Sequence, residues 1–394
     1  MPQDLSDRLI CSKKGSCGSC AFADSTYAGT LAVKQEQVRR LLKDRVSSLE
    51  NIVPCDEIFH YRNKIYIAFS STRDGRISAG TFFRGSKRIV NTDGCLLEDE
   101  RADAVKEEVK KLIRRYRILV YDARTSRGLL RGVLVRVGKN TGEMMVVVVV
   151  TDRMFPGKKN FIKELVRNVP DITTVLFDVN RRTDSMILDG TPTVEYGPGF
   201  IYEIICGMKF KVSASSFLQI NTAQAEKLYS TAAAMSGIGK EDNVLDAYCG
   251  TGTIGITLSR YAKSVTGVEI NKSAFEDAKA NARGNKRDNI RFVLGDATEY
   301  MTGDGKDKDF NVIVLDPPRA GTTPAFIRAC AKTGASGVVY ISCEPKTLAR
   351  DLELFAKEGF EAVRAIPFDM FPWTDSTECI VRLERKDGKE DEGI

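Results

Sequence analysis

Three strand ends in the second half of this 394-residue chain carry residue types that react or that hold reactive groups. At the first, Asn243, Val244 and Leu245 form a short apolar run that stops at Asp246, and Gly250, Gly252 and Gly255 follow at G-x-G-x-x-G spacing. Such a turn from strand to helix lets the backbone come close to a ligand, and an acidic residue ending the next strand, here Glu269, accepts hydrogen bonds from ribose hydroxyls. The pattern describes a nucleoside-cofactor site and does not separate a dinucleotide from S-adenosylmethionine, since both present an adenosine. The second strand end is Asp316-Pro317-Pro318-Arg319, after the apolar run Asn311 to Leu315, and the third is Ser342-Cys343-Glu344-Pro345, after Val338 to Ile341. Cys343 directly follows a strand and precedes a proline suited to the first turn of a helix, so its sulfur lies near a helix N-terminus. That position lowers a thiol pKa, while neighbouring Glu344 acts in the opposite sense, so the net direction stays open.

A second constellation lies at the front. Cys11, Cys17 and Cys20 stand as C-x5-C-x2-C in the segment KKGSCGSC, whose short turns can wrap thiolates around one centre. Four ligands are usual; Cys95, in a turn-like stretch, is the best candidate for the fourth, and Cys55 is its rival. Thiolates alone suit zinc or an iron–sulfur cluster, and spacing does not choose between them. Ten cysteines behind the start MPQDLSDRLI, which has no apolar export segment, point to metal, catalysis or burial rather than disulfides. The longest apolar run, Met144 to Val150, is too short to span a bilayer, so a cytoplasmic protein with no membrane partner is expected.

These groups have to be positioned by two kinds of pattern. Residues 26–46 place apolar side chains near helical spacing, and 61–90 read as strands and turns. A basic helix over 99–116, a hairpin formed by Leu130 to Val137 and Met144 to Thr151, and a helix from Lys158 to Arg167 complete a mixed α+β region. From Ser213 strands and helices alternate. Strands are expected at Asn243–Leu245, Ser264–Val268, Ile290–Leu294, Asn311–Leu315, Val338–Ile341, Glu361–Pro367 and Glu378–Glu384, the last two as an antiparallel addition at one edge of a doubly wound sheet. Residues 1–212 hold 36 Lys+Arg against 26 Asp+Glu, whereas 213–394 hold 23 against 27, so the front half carries the basic surface suited to a polyanion. Lys110, Lys111, Arg114, Arg115, Arg117, Arg124, Arg127, Arg131 and Arg136 form its clusters.

Together, SASSFLQIN around Gln219, LDAYCGTGTIG, the strand-ending Glu269, LDPPRAG, YISCEPKTLARDL and DMFPWTDSTECIVRLER make the chain resemble the RNA (uracil-5-)-methyltransferase family over nearly all of its length. The resemblance implies an α/β fold with a Rossmann-like S-adenosylmethionine-dependent methyltransferase domain at the C-terminus (213–385), an α+β RNA-binding central region behind an N-terminal iron–sulfur segment (1–212), and a charged, disordered tail (386–394). Residues 26–46 are expected against the catalytic domain. It implies Cys343 as the nucleophile that adds to C6 of uracil and Glu378 as the base that removes the C5 proton. Cofactor contacts carry over to Gln219, Tyr248, Thr253, Glu269 and Asp316, with Asp296 a partner for adenine. Cys11, Cys17, Cys20 and Cys95 map onto the ligands of a [4Fe-4S] cluster. The implied partner is RNA, 23S rRNA first and tRNA uridine-54 second, and a monomer is expected.

Two departures matter. Members of the family commonly have a histidine shortly before the base; here the stretch is Trp373 to Thr377 and the single histidine is His60. Many relatives open with a small RNA-binding TRAM barrel, and this chain starts at the cysteine segment, which assigns RNA grip to the basic central region. Phe217 could stack on a base or belong to the core. A non-catalytic iron–sulfur RNA-binding protein and a nicotinamide dehydrogenase remain as alternatives, separable by methyl turnover on RNA and by cofactor titration.

Overall fold

The computed structural model describes residues 7–386 except 73, 84 and 307; of the charged tail expected over 386–394, all but Lys386 lies outside the described residues. In chain order the elements are α1 (Tyr27–Leu42), β1 (Ser48–Leu49), β2 (Lys64–Ser71), β3 (Ile77–Phe82), β4 (Ile89–Asn91), α2 (Arg101–Arg115), β5 (Leu130–Val137), β6 (Met144–Val150), α3 (Lys158–Asn168), β7 (Ile172–Val179), β8 (Thr193–Tyr196), β9 (Phe200–Ile205) and β10 (Met208–Ser213). They continue with α4 (Thr222–Ser236), β11 (Asn243–Ala247), α5 (Thr253–Leu258), β12 (Ser264–Glu269), α6 (Lys272–Gly284), β13 (Ile290–Leu294), α7 (Ala297–Thr302), β14 (Val312–Leu315), α8 (Pro324–Lys332), β15 (Gly337–Ser342), α9 (Pro345–Lys357), β16 (Phe360–Phe368) and β17 (Glu378–Arg385).

The chain divides into two compact units, and the division is interleaved rather than a single cut at 212/213. One unit holds 1–27, 57–204 and 211–222; the other holds 28–56, 205–210 and 223–394. The reason lies in the early segment: Val38, Leu42 and Val46 are buried in the core of the second unit, and β1 pairs with β16.

The first unit is built on a seven-stranded sheet ordered β4-β3-β2-β5-β6-β7-β8. Its central strand β6, MMVVVVV, is buried at every position, as an unbroken apolar run requires when both faces are covered. Helices α2 and α3 contribute Val105, Val109, Leu112, Phe161 and Leu165 to the core. Much of the charge assigned to a basic surface is used internally here. Lys110 is buried with its ammonium on Asp93 and Glu107, Arg136 is buried and donates to the carbonyl of Ser213 at 2.6 Å, and Arg131 donates to the carbonyl of Asn180 at 3.0 Å. Buried lysines and arginines need such partners, so a run of basic letters overstates the surface charge. Arg114, Arg117 and Arg127 do lie on the surface.

The second unit holds an eight-stranded sheet ordered β1-β16-β17-β15-β14-β11-β12-β13, in which β11 to β15 are parallel. Strand β17 runs antiparallel to β15 on one side and β16 on the other, so the two last strands form the expected antiparallel addition at one side of the parallel strands, with the two-residue β1 outside them and β17 interior. Both of its backbone ladders are satisfied, and residues of β17 from Glu378 to Val381 are buried.

Candidate active site

The carboxyl ends of β11, β12, β14 and β15 and the start of β17 converge in the second unit. Pairing of Ser342 with Cys379 makes Cys343 and Glu378 the next positions of the two antiparallel strands, one residue beyond the end of the ladder. Asp316 follows β14, the parallel neighbour of β15. The loop after Asp316 is held from beneath by α9: Asp351, fully buried, accepts from the Tyr340 hydroxyl at 2.6 Å and from the Thr322 amide at 3.0 Å, and Thr347 donates to the Arg319 carbonyl at 3.0 Å.

Electrostatics in this corner are dominated by enclosed acids. Glu378 is 1% exposed, its Oε2 has no hydrogen-bond partner, and burial followed by the charge of Asp316 pushes its carboxyl well above the usual range, with Arg319 opposing. Burial pushes Asp316 up to about 7. The Cys343 thiol is pushed up to about 11, first by burial and then by Glu378 and Asp316, while Arg319 acts in the opposite direction by charge and by a side-chain hydrogen bond. The helix N-terminus that would lower the thiol is therefore outweighed, by burial first and then by two acids distant in sequence. Arg319 had no role assigned from the sequence; its place in DPPR directly after a strand end was the available signal.

At the glycine turn, Glu269 Oε2 accepts from the Gly250 amide at 2.9 Å and Oε1 from the Asn271 amide at 2.6 Å, which ties the first two strand ends together. Gly252 has φ +81°, and a Cβ there would press on Ile256 and Phe292 at 3.1 Å; at Gly255 a Cβ would come within 2.6 Å of Asp246 Oδ2. The latter oxygen accepts from the Gly255 amide at 2.7 Å, its mate Oδ1 is buried without a partner, and burial lifts the Asp246 carboxyl to about 8. Tyr248 adopts φ +63°, uncommon for a side chain with a Cβ and frequent at functional turns, and its hydroxyl meets Thr322 Oγ1 at 2.9 Å. Thr253 is buried at the start of α5, and its carbonyl accepts from Thr257 Oγ1 at 2.7 Å. Asp296 is the N-cap of α7, its Oδ1 accepting from the amides of Thr298 and Glu299 at 2.8 and 3.0 Å, a structural task that leaves Oδ2 for another partner.

Gln219 lies in the first unit, where its carbonyl accepts from Asn63 Nδ2 at 2.9 Å. Phe217 in the same segment is 59% exposed, so it is not core. His60, also in that unit, bonds the Glu98 carbonyl at 2.9 Å through Nδ1. Cys11, Cys17, Cys20 and Cys95 are near neighbours there: the Cys20 thiol is raised to about 12 mainly by burial and, in smaller measure, by Cys95, Cys17 and Cys11. Among the described residues, however, no three Cys, His, Asp or Glu side chains are brought together as metal ligands, so the expected cluster site is not shown. The turns that carry them are stabilised by their own backbone bonds, such as Lys14 to the Cys11 carbonyl at 3.1 Å.

A family model described as tRNA (Uracil-5-)-methyltransferase matches residues 206–386. An uncharacterized RNA methyltransferase of Halalkalibacterium halodurans is 38% identical over 378 residues, covering 94% of this chain and 82% of that one. The chain belongs to the RNA (uracil-5-)-methyltransferase family. As a uracil-5 methyltransferase it is an S-adenosylmethionine-dependent enzyme, and the dehydrogenase alternative falls away. A second RNA methyltransferase, of Oceanobacillus iheyensis, is 37% identical over 379 residues with the same shares covered. Among solved structures, the tRNA (uracil-54, C5)-methyltransferase of Pyrococcus abyssi in complex with S-adenosyl-L-homocysteine matches with a TM-score of 0.77 and 28% identity, over 91% of this chain and 84% of that chain. Among the described residues no helix is long and apolar enough to cross a membrane.

Proposed function

We propose that the enzyme methylates C5 of a specific uridine in 23S ribosomal RNA through a covalent bond between Cys343 and C6 of the base. The observation that carries this is the adjacency of a thiol and an enclosed carboxyl at the next positions of β15 and β17, a nucleophile and a base side by side. Addition of the Cys343 thiolate to C6 moves electron density to C5, which is otherwise a poor nucleophile. S-adenosylmethionine supplies the electrophilic methyl group. Glu378 then takes the C5 proton, the C5–C6 double bond re-forms, and the Cys343–C6 bond breaks to free the thiolate. The high pKa of the resting thiol means that its proton must leave before attack; Asp316, pushed up to about 7, is the acceptor at hand, which keeps Glu378 for the C5 proton.

Tyr248, Thr253, Glu269, Asp296, Asp316 and Gln219 are proposed to hold the cofactor. The chemistry of this donor set fits: the carboxylates of Glu269 and Asp296, joined by Asp316 when it is ionised, favour a cationic sulfonium and amine and disfavour a pyrophosphate. Cys11, Cys17, Cys20 and Cys95 are proposed to bind a [4Fe-4S] cluster, four soft thiolates being the donor set it takes. Transfer RNA is the second substrate, favoured by the likeness to the Pyrococcus abyssi enzyme. The test is to map 5-methyluridine in RNA from cells with and without the gene. Loss of one 23S position supports the proposal, loss of a tRNA position moves the substrate to the second assignment, and no loss in either rejects both.

A further inference from the structure

A cavity of about 350 Å³ in the first unit is lined by Ser19, Arg62, Glu98, Tyr66 and Phe82, with Ile65, Thr81, Ser185 and Ile187 completing its wall. Its size falls at the lower end of small-ligand sites. Two of its charged side chains have unmet bonds: Arg62 Nε and Glu98 Oε2 are buried atoms with no hydrogen-bond partner. They are held side by side by the backbone, where Arg62 and Glu98 form a parallel bridge and the Arg62 amide donates to the Leu97 carbonyl at 2.9 Å. Lys106 is the other cation facing Glu98, at 3.7 Å, but its ammonium is committed to Asp103 at 2.6 Å and to the Thr92 carbonyl at 3.0 Å. Glu98 Oε2 thus keeps a 3.7 Å ion pair with Lys106 but no hydrogen bond, and Arg62 Nε has no acceptor, so each can take a further bond from a ligand that offers acceptors to one and donors to the other.

The surroundings say which ligand. Tyr66, Phe82, Ser185 and Ile187 also line a larger groove of about 1010 Å³, whose other walls carry Lys87, Arg88 and Arg124. Arg88 lies over the Phe83 ring at 4.5 Å, and Phe82 is 40% exposed at the shared rim. Aromatic faces interleaved with cations suit a single nucleic-acid strand whose bases stack and whose phosphates meet lysine and arginine.

We propose that this cavity receives an unstacked guanine of the RNA substrate, with Arg62 donating to O6 and N7 and Glu98 accepting from N1–H and the 2-amino group. Guanine is the base that gives two acceptors to an arginine and two donors to a carboxylate at once. Drawing Arg62 toward the base breaks none of the bonds just described, and Glu98 gives up only its 3.7 Å contact with Lys106, whose ammonium keeps Asp103 and the Thr92 carbonyl. The inference rests on RNA being the substrate and concerns a site separate in the chain from the methyl-transfer residues.

The experiment measures binding of the full chain to fluorescent eight-nucleotide RNAs, all uridine except for one central guanosine, inosine, adenosine or cytidine, at fixed salt. The guanosine RNA should bind about tenfold more tightly than the inosine RNA, which lacks the 2-amino group. Glu98→Gln should erase that difference while leaving the affinity for oligouridylate unchanged, and the latter measurement shows that the variant is folded. Arg62→Lys should weaken binding of guanosine and inosine RNAs alike, because both keep O6 and N7. Equal affinity for all four RNAs, a preference for another base, or a guanosine preference that survives Glu98→Gln would overturn the proposal. None of these results touches methyl transfer at Cys343, which is read separately by the covalent adduct.

Discussion

Lys34 and Asp369 form an ion pair across 335 positions of sequence, both side chains fully enclosed, with Nζ 2.5 Å from Oδ1 and 3.0 Å from the Phe371 carbonyl. The pair pins α1 to the segment that leads through Trp373, itself buried at φ +69°, to Glu378. Lys34→Met keeps most of the side chain's apolar length and removes the ammonium that faces the enclosed Asp369 carboxylate. Breaking a buried pair in this way costs about 3–5 kcal/mol. Urea unfolding followed by tryptophan fluorescence, which reports on Trp373 alone, measures it. A deficit of about 4 kcal/mol is expected, with recovery in Lys34→Met combined with Asp369→Leu. A deficit under about 1 kcal/mol, or no recovery in the double variant, would refute the reasoning.

Asp246→Asn tests the carboxyl under the glycine turn: its folded pKa of about 8 is raised, so the stability it contributes when protonated is lost as pH climbs toward 8. The variant should gain on wild type by about 5 kcal/mol between pH 4 and pH 8 in denaturant titrations, and parallel curves would show that the carboxyl is not enclosed. Alkylation of Cys343 by iodoacetamide, followed by peptide mass spectrometry, should rise roughly tenfold per pH unit from pH 8 up to about 11, and Arg319→Gln should slow it further at each pH by removing the opposing charge. Anaerobically purified protein should be brown, with about four irons per chain, and Cys17→Ser should lose them; a colourless preparation holding one zinc would replace the cluster with another metal.

Where local pattern decides the structure, the sequence was sufficient. Strand ends bearing Asp246, Glu269, Asp316 and Cys343 follow from apolar runs halted by polar or glycine residues, and all are strand ends in the structure or directly adjoin one. What depends on contacts far apart in the chain could not be read that way. Which of the two added strands is interior follows from the pairing of β17, at the start of which Glu378 is enclosed, with both β15 and β16. The thiol of Cys343 is set by its burial, and then by Glu378 and Asp316, rather than by its own helix. Lys110 and Arg136 count as surface charge in a composition but are buried on carboxylates and carbonyls. Asp296 was read as an adenine partner from its position after β13, and its capping of α7 is the kind of short-range task that the following Ala-Thr-Glu could have signalled.

The covalent step can be measured directly. Glu378→Gln, incubated with S-adenosylmethionine and substrate RNA, should release one equivalent of S-adenosylhomocysteine and remain attached to the methylated RNA, visible as a slow band on denaturing electrophoresis. Wild type should give that band only with RNA containing 5-fluorouridine, and Cys343→Ala should give neither band nor S-adenosylhomocysteine while still binding RNA. Normal turnover by Glu378→Gln would move the base to another group, and methyl transfer by Cys343→Ala would contradict the covalent mechanism altogether.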